Sequence, residues 1–103
     1  MQILPEPIEF EWDEGNIDKN KVKHGISNQE AEDVLMIDRF LILKDESHSA
    51  IEDRYVVIGP TREEKILSLI ITVRSRKIRI ISARMASRKE KIFYEKTFKD
   101  SEV

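Results

Sequence analysis

The sequence has no cysteine and only three glycines, three prolines and two histidines in 103 residues. Without cysteine, disulfides, thiolate metal ligands and thiol nucleophiles are excluded. So little Gly and Pro argues against a fibrous or low-complexity disordered chain. No apolar run approaches the ~20 residues that span a bilayer. The opening MQILPEPIEFEWDEG lacks the basic start and long apolar segment of a secretory signal. No membrane association and a cytoplasmic location are therefore expected. Two His residues show no metal-ligand spacing, so no metal and no cofactor are expected. A Gly-rich phosphate loop and a nucleophile motif such as GxSxG are missing as well.

What the chain does have is charge. Charged residues make up 37% and hydrophobic residues 40%, with a net charge of −2. This length suits one domain over 1–103, with 1–9 as a loose arm that Pro5 and Pro7 keep extended. The charge is unevenly spread. Residues 1–50 hold 5 Lys/Arg and 12 Asp/Glu, whereas 51–103 hold 13 Lys/Arg and 8 Asp/Glu. The stretch RSRKIRIISARMASRKEK, 74–91, contains eight Lys/Arg and one acid, Glu90. Such a run either pairs with acids elsewhere in the fold or meets a polyanion.

Local patterns predict helix, helix, strands, helix. Asp13 is a candidate N-cap for a helix to about His24, weakened by Gly15 and ended by Gly25. Ser27 and Glu30 form a capping box, followed by an apolar stripe of Ala31, Val34 and Leu35, which predicts a helix over 28–37. Strands are expected at 39–44, 53–59, 65–73 and 77–83. Gly59-Pro60 reads as a turn, and the gaps at 60–64 and 74–76 suit hairpin loops. In the last strand Lys77 and Arg79 share one side and Ile78 and Ile80 the other. Ser87 and Glu90 form a second capping box, opening a helix over 87–98 with Ile92 and Phe93 as core contacts. Trp12 is expected to anchor the N-terminal segment. The fold class is α+β: an antiparallel sheet of three or four strands, two N-terminal helices and one C-terminal helix, with the helices on one sheet face.

Arg88 and Lys89 stand in the first turn of the last helix, where cations oppose the helix dipole unless an anion is near. A helix N-terminus also offers free N–H groups to phosphate.

A longer set of motifs carries a resemblance. FEWD (10–13), then Asn20 and Lys23-His-Gly-Ile-Ser27, then EA (30–31), precede Asp45 and His48-Ser49. EDRY (52–55), VIG (57–59), IRIISARxASRKE (78–90) and Tyr94 follow. Over about 10–95 this resembles the BrnT family of type II toxins. Asn28-Gln29 replaces a common aromatic-acidic pair, Lys91 stands for an Arg, and Gly15 lies within the first helix. The resemblance implies a RelE-like fold and an RNA-cleaving toxin that inhibits translation. It also implies a BrnA-type antitoxin, bound in a 2:2 complex that reaches operator DNA only through the antitoxin.

Metal-free RNA cleavage needs a base for the 2′-OH, cations for the phosphorane and an acid for the 5′-oxygen. Arginine suits the second role because it stays charged and holds two phosphate oxygens at once. Arg84 is the leading catalytic candidate. His24, His48, Glu90 and Tyr94 are the acid–base candidates. Arg54, Arg74, Arg76, Arg79, Arg88 and Lys23 are the candidates for RNA binding. Glu90 has the alternative of its capping box, Tyr94 that of a core aromatic, and Arg54 that of a structural ion pair. The acids of the first half are expected on the surface opposite the RNA. Two other functions stay open: a toxin-fold binding module without catalysis, and a relative that poisons a protein target such as a topoisomerase.

Overall fold

A computed structural model describes residues 4–46 and 52–101, with side chains to residue 98. The elements run α1 (Lys19–His24), α2 (Asn28–Ile37), β1 (Leu41–Lys44), β2 (Arg54–Pro60), β3 (Ile66–Arg74), β4 (Lys77–Met85) and α3 (Arg88–Ser101). The fold is α+β. The four strands form an antiparallel meander in the order β1-β2-β3-β4.

Both capping boxes form. The Ser27 side chain accepts the Glu30 N–H at 3.1 Å while Glu30 accepts the Ser27 N–H at 3.0 Å. Ser87 and Glu90 repeat this at the start of α3, at 3.2 and 2.7 Å. Each box satisfies two amide groups that the helix cannot bond internally. The β3–β4 hairpin turns through Ser75 and Arg76 at φ 48 and 67°. Two consecutive positive φ values give a turn whose twist matches that of the strands it joins.

The first helix is shorter than expected. The Asp13 carbonyl accepts the Asn16 and Ile17 N–H groups, and the Asp13 carboxylate accepts that of Gly15. Asp18 then takes a left-handed φ of 58°, so α1 begins only at Lys19. Side chain–backbone bonds of this kind compete with helix propagation. Gly25 ends α1 as expected, at φ 70°. Strand β2 runs through the expected Gly59-Pro60 turn. Gly59 is needed there because a Cβ would lie 2.7 Å from Cβ of Phe40.

The helices do not share one face of the sheet. Val57 of β2 belongs to a core with Leu67, Leu69 and Ile71 of β3, Ile78 and Ile80 of β4, and Val34 and Leu35 of α2. Its neighbours Val56 and Ile58 point the opposite way and pack with Tyr94 and Phe98 of α3. Strands β2 and β3 are apolar at both parities, so each face needs cover. For the same reason α3 turns Tyr94 inward (6% exposed) and leaves Ile92 and Phe93 at 56% and 47%, which corrects the expected core contacts.

The N-terminal segment lies along the outer edge of β4. The Ile78 N–H donates to the Glu9 carbonyl at 2.8 Å and the Glu11 N–H to the Ile78 carbonyl at 2.9 Å. Leu4 and Ile8 rest against the core, so the expected arm is irregular yet attached. Trp12 does serve as an anchor: its indole N–H bonds Glu32 of α2 at 2.6 Å. Farther along that edge, buried Asn16 donates to the Ile80 carbonyl at 3.2 Å and buried Asn20 accepts the Ala83 N–H at 2.9 Å. These two amides satisfy β4 where its register shifts opposite Ile70 and Ile71. An unmet buried N–H or C=O there would be costly.

Candidate nucleic-acid interface

The face bearing α3 also carries the arginines. Register aligns Arg54, Thr72 and Arg79 in one row across β2, β3 and β4. Ile58, Ser68 and Arg84 form a second row. The rows are four residues apart along β3, roughly 13 Å at strand rise. Val56, Ile70 and Ser82 lie between them, all half-buried. Arg84 sits where helix α3 begins, and helix cover is confined to that end of the face.

The first row is a network of ions. Arg74 holds Glu52 bidentately at 2.9 and 3.1 Å, and Arg54 approaches the same carboxylate at 3.7 Å. Arg79 bonds Glu11 at 3.0 Å and Asp13 at 2.8 and 2.9 Å. The Arg79 guanidinium holds the Asp13 carboxyl below its ordinary range, and Arg74 does the same to Glu52. Of the first-half acids, Glu11 and Asp13 thus stand among the arginines, whereas Glu30, Glu32 and Asp33 lie on α2 over the other face. The cause is the N-terminal segment, which brings Glu11 and Asp13 to the edge strand that carries Arg79.

The second row is built on Glu90. Arg84 meets both of its carboxylate oxygens, at 2.7 and 3.1 Å. Ser68 donates to the same carboxylate at 3.0 Å. Burial pushes the Glu90 carboxyl upward, but Arg84, the Ser87 N–H and Ser68 outweigh it and hold the group at about 2. Glu90 is therefore ionised at neutral pH and a weak base, serving as a brace for Arg84. It is also the anion that offsets Arg88 and Lys89 at the helix start, so the protein supplies its own counter-charge there. Arg84 keeps 44% of its side chain exposed.

The other candidates are dispersed. The Tyr94 hydroxyl donates to the Arg39 carbonyl, and its ring lies 4.6 Å from that of Phe98. It is a core aromatic, out of reach of a base or a leaving group on the open face. His24 and Lys23 are exposed at the end of α1, a helix tied to β4's outer edge. Arg76 is exposed in the hairpin turn and Arg88 in the first turn of α3. His48 lies outside the described residues. The positioning residues Asn16, Asn20 and Ser68 escaped the sequence reading. Buried polar side chains carry no periodic signal, although Asn20 belongs to the quoted motif.

Between β1, β2 and α3 runs an open groove of about 600 Å³, floored by Leu43, Val56 and Ile58 and edged by Phe93, Lys89 and Glu90. Among the described residues no three His, Asp or Glu side chains converge on a metal-sized site. No helix among them is long and apolar enough to cross a membrane.

No curated protein matches the chain. A family model described as the ribonuclease toxin BrnT of type II toxin-antitoxin systems matches residues 12–90. That span includes both rows of arginines and ends on Glu90, and the chain belongs to this family of ribonuclease toxins.

Proposed function

We propose that the chain cuts RNA without a metal ion on the open face of its sheet, and so inhibits translation. The antitoxin protein that its family implies is, in this reading, of the BrnA type. It binds in a 2:2 assembly and alone contacts operator DNA. One observation carries the proposal: Arg54, Arg79 and Arg84 project from two aligned rows of a single open face. A strand crossing that face meets guanidinium groups already paired with carboxylates at both rows, of which Arg84 is the more open at 44% exposed against 12% for Arg79. Arg84 is the group assigned to the reacting phosphate. Glu90, itself held by Ser68, holds it in place, so little rotamer freedom is lost when it binds. Glu90 takes one N–H from each Nη of Arg84, which leaves further N–H groups to a phosphate.

The second reading, a binding module without catalysis, draws on a different observation. Three of the four acid–base candidates are committed elsewhere: Glu90 is ionised in its ion pair, Tyr94 is buried, and His24 lies on α1. Purified protein incubated with end-labelled RNA in EDTA, with Arg84→Ala and His48→Gln in parallel, separates the two. Cleavage that survives EDTA and is lost in Arg84→Ala supports the nuclease. Loss in His48→Gln with RNA binding retained assigns the proton transfer. Absence of cutting both alone and with added ribosomes favours the binding module.

A further inference from the structure

We propose that Asn20, on the outer edge of the sheet, is a positioning residue for RNA cleavage: it holds the bulge in β4 that brings Arg84 onto the face of Arg79. This rests on the RNA-cleaving reading of Arg84 and adds a residue to it. Successive side chains of a strand alternate between faces. Arg79 and Arg84 are five positions apart, so a regular strand would put them on opposite faces. The pairing shows why they share one. Ile71 pairs with Ile80 and Ile70 with Ser82, so Ile81 has no partner on β3. That one extra residue shifts the alternation. Before it, Ile78 and Ile80 are buried and Arg79 pairs with Thr72 in the first row. After it, Ala83 is buried and Arg84 pairs with Ser68 in the second row. In an unbulged strand Arg84 would turn towards the core and Ala83 towards the open face, because a one-residue slip exchanges the two sides.

The outer edge of β4 carries the same change of parity. Ahead of Ile81 the outward groups belong to Ile78, which bonds the N-terminal segment, and to Ile80, whose carbonyl accepts from Asn16. Beyond it the outward group is the Ala83 N–H, which donates to the Asn20 side chain at 2.9 Å. Asn16 also bonds the Asp13 N–H and the Glu11 carbonyl. Among the described residues the Asn20 side chain makes the Ala83 bond alone, and Asn20 is 3% exposed. Ala83 is the residue next to Arg84. A regular strand would aim its N–H at β3 and leave the Asn20 oxygen buried without a donor, which is costly. Asn20 thus favours the bulged strand over the regular one.

The test is binding of a fluorescent single-stranded 2′-O-methyl RNA, which lacks the 2′-OH nucleophile and so reports binding alone. Asn20→Leu removes the acceptor at similar volume, and Asn20→Asp keeps it. Circular dichroism and urea unfolding fix the folded fraction of each variant. Per folded molecule, Asn20→Leu is expected to bind about tenfold more weakly, the worth of a hydrogen bond to a charged group. Asn20→Asp should recover most of that loss. In an Arg84→Ala background Asn20→Leu should add nothing further, because the two act through one group. On cleavable RNA the cleavage rate should follow the same order. If Asn20→Leu does not fold, the shorter Asn20→Ser takes its place. Wild-type affinity in the folded variant would overturn the proposal. So would an equal loss with and without Arg84, which would make Asn20 a general support of the sheet. Binding by wild type that Arg84→Ala leaves unchanged would overturn the assignment of Arg84, and this inference with it. Wild-type protein that neither binds nor cuts RNA, alone or with ribosomes, would overturn the RNA-cleaving reading itself.

Discussion

The two faces of the sheet are made from the same strands and have opposite characters. On one face Val57, Leu67, Leu69, Ile71 and Ile78 are fully buried beneath the N-terminal helices. On the other, Val56 and Ile70 are half-buried, and helix cover reaches only the end where Ile58 meets Tyr94. Both faces are apolar along β2 and β3. Helix cover therefore sets one face apart as core and leaves the other largely open. The uncovered part is held by ion pairs, which tolerate water as an apolar core does not.

The sharpest way to break this comparison is to truncate adjacent residues of β3. Leu69→Ala should cost about 2–5 kcal/mol of stability in urea denaturation, through lost burial and a cavity. Ile70→Ala, one residue along on the other face, should cost less than half as much. Equal losses would mean that the open face is as much a core as the closed one.

Acid should loosen the open face first. The folded pKa of Glu90, about 2, lies below the 4.5 of the free group. Its stabilisation is therefore complete above about 4.5 and disappears as pH falls towards 2. At about 1.4 kcal/mol per pKa unit this amounts to at most roughly 3 kcal/mol. Glu90→Gln should remove it, so the stability gap between wild type and variant narrows from pH 6 to pH 2. A gap independent of pH would show that the carboxylate charge contributes nothing.

The smallest effect sharpens the contrast from the closed side. Ser27→Ala removes the N-cap of α2 and should cost about 1 kcal/mol in thermal or urea unfolding. RNA cleavage per folded molecule should be unchanged. A loss of cleavage would tie the closed face to function and erase the distinction.

Much of the secondary structure was legible because its signals are local. The Ser27–Glu30 and Ser87–Glu90 boxes each depend on four consecutive residues, and both form. The alternation of Ile78, Arg79 and Ile80 placed the arginine opposite the core. The start of α1 is not legible because Asp13 takes the N–H groups of Gly15, Asn16 and Ile17 and Asp18 turns left-handed, a competition that a capping pattern does not reveal. Ile92 and Phe93 are apolar and read as core in the sequence, whereas docking turns Tyr94 inward. Of the candidate site, the arginines and the Glu90 box are legible in the sequence. Their acidic partners are not, because Glu11 and Asp13 reach Arg79 only through a segment more than 60 residues earlier in the chain.

By itself the sequence determined the inventory: no thiol chemistry, capped helices, three or four strands, a run of arginines, and the motifs that mark a ribonuclease toxin. Those features follow from residue type and from spacings of a few positions. Tertiary structure alone decided which face of the sheet stayed open, which arginines share it and which acids hold them there. It also kept Tyr94 from the surface and left Phe93 on it. A strand with apolar residues on both sides does not specify its cover, and an ion pair between distant segments forms only once the strands between them have paired.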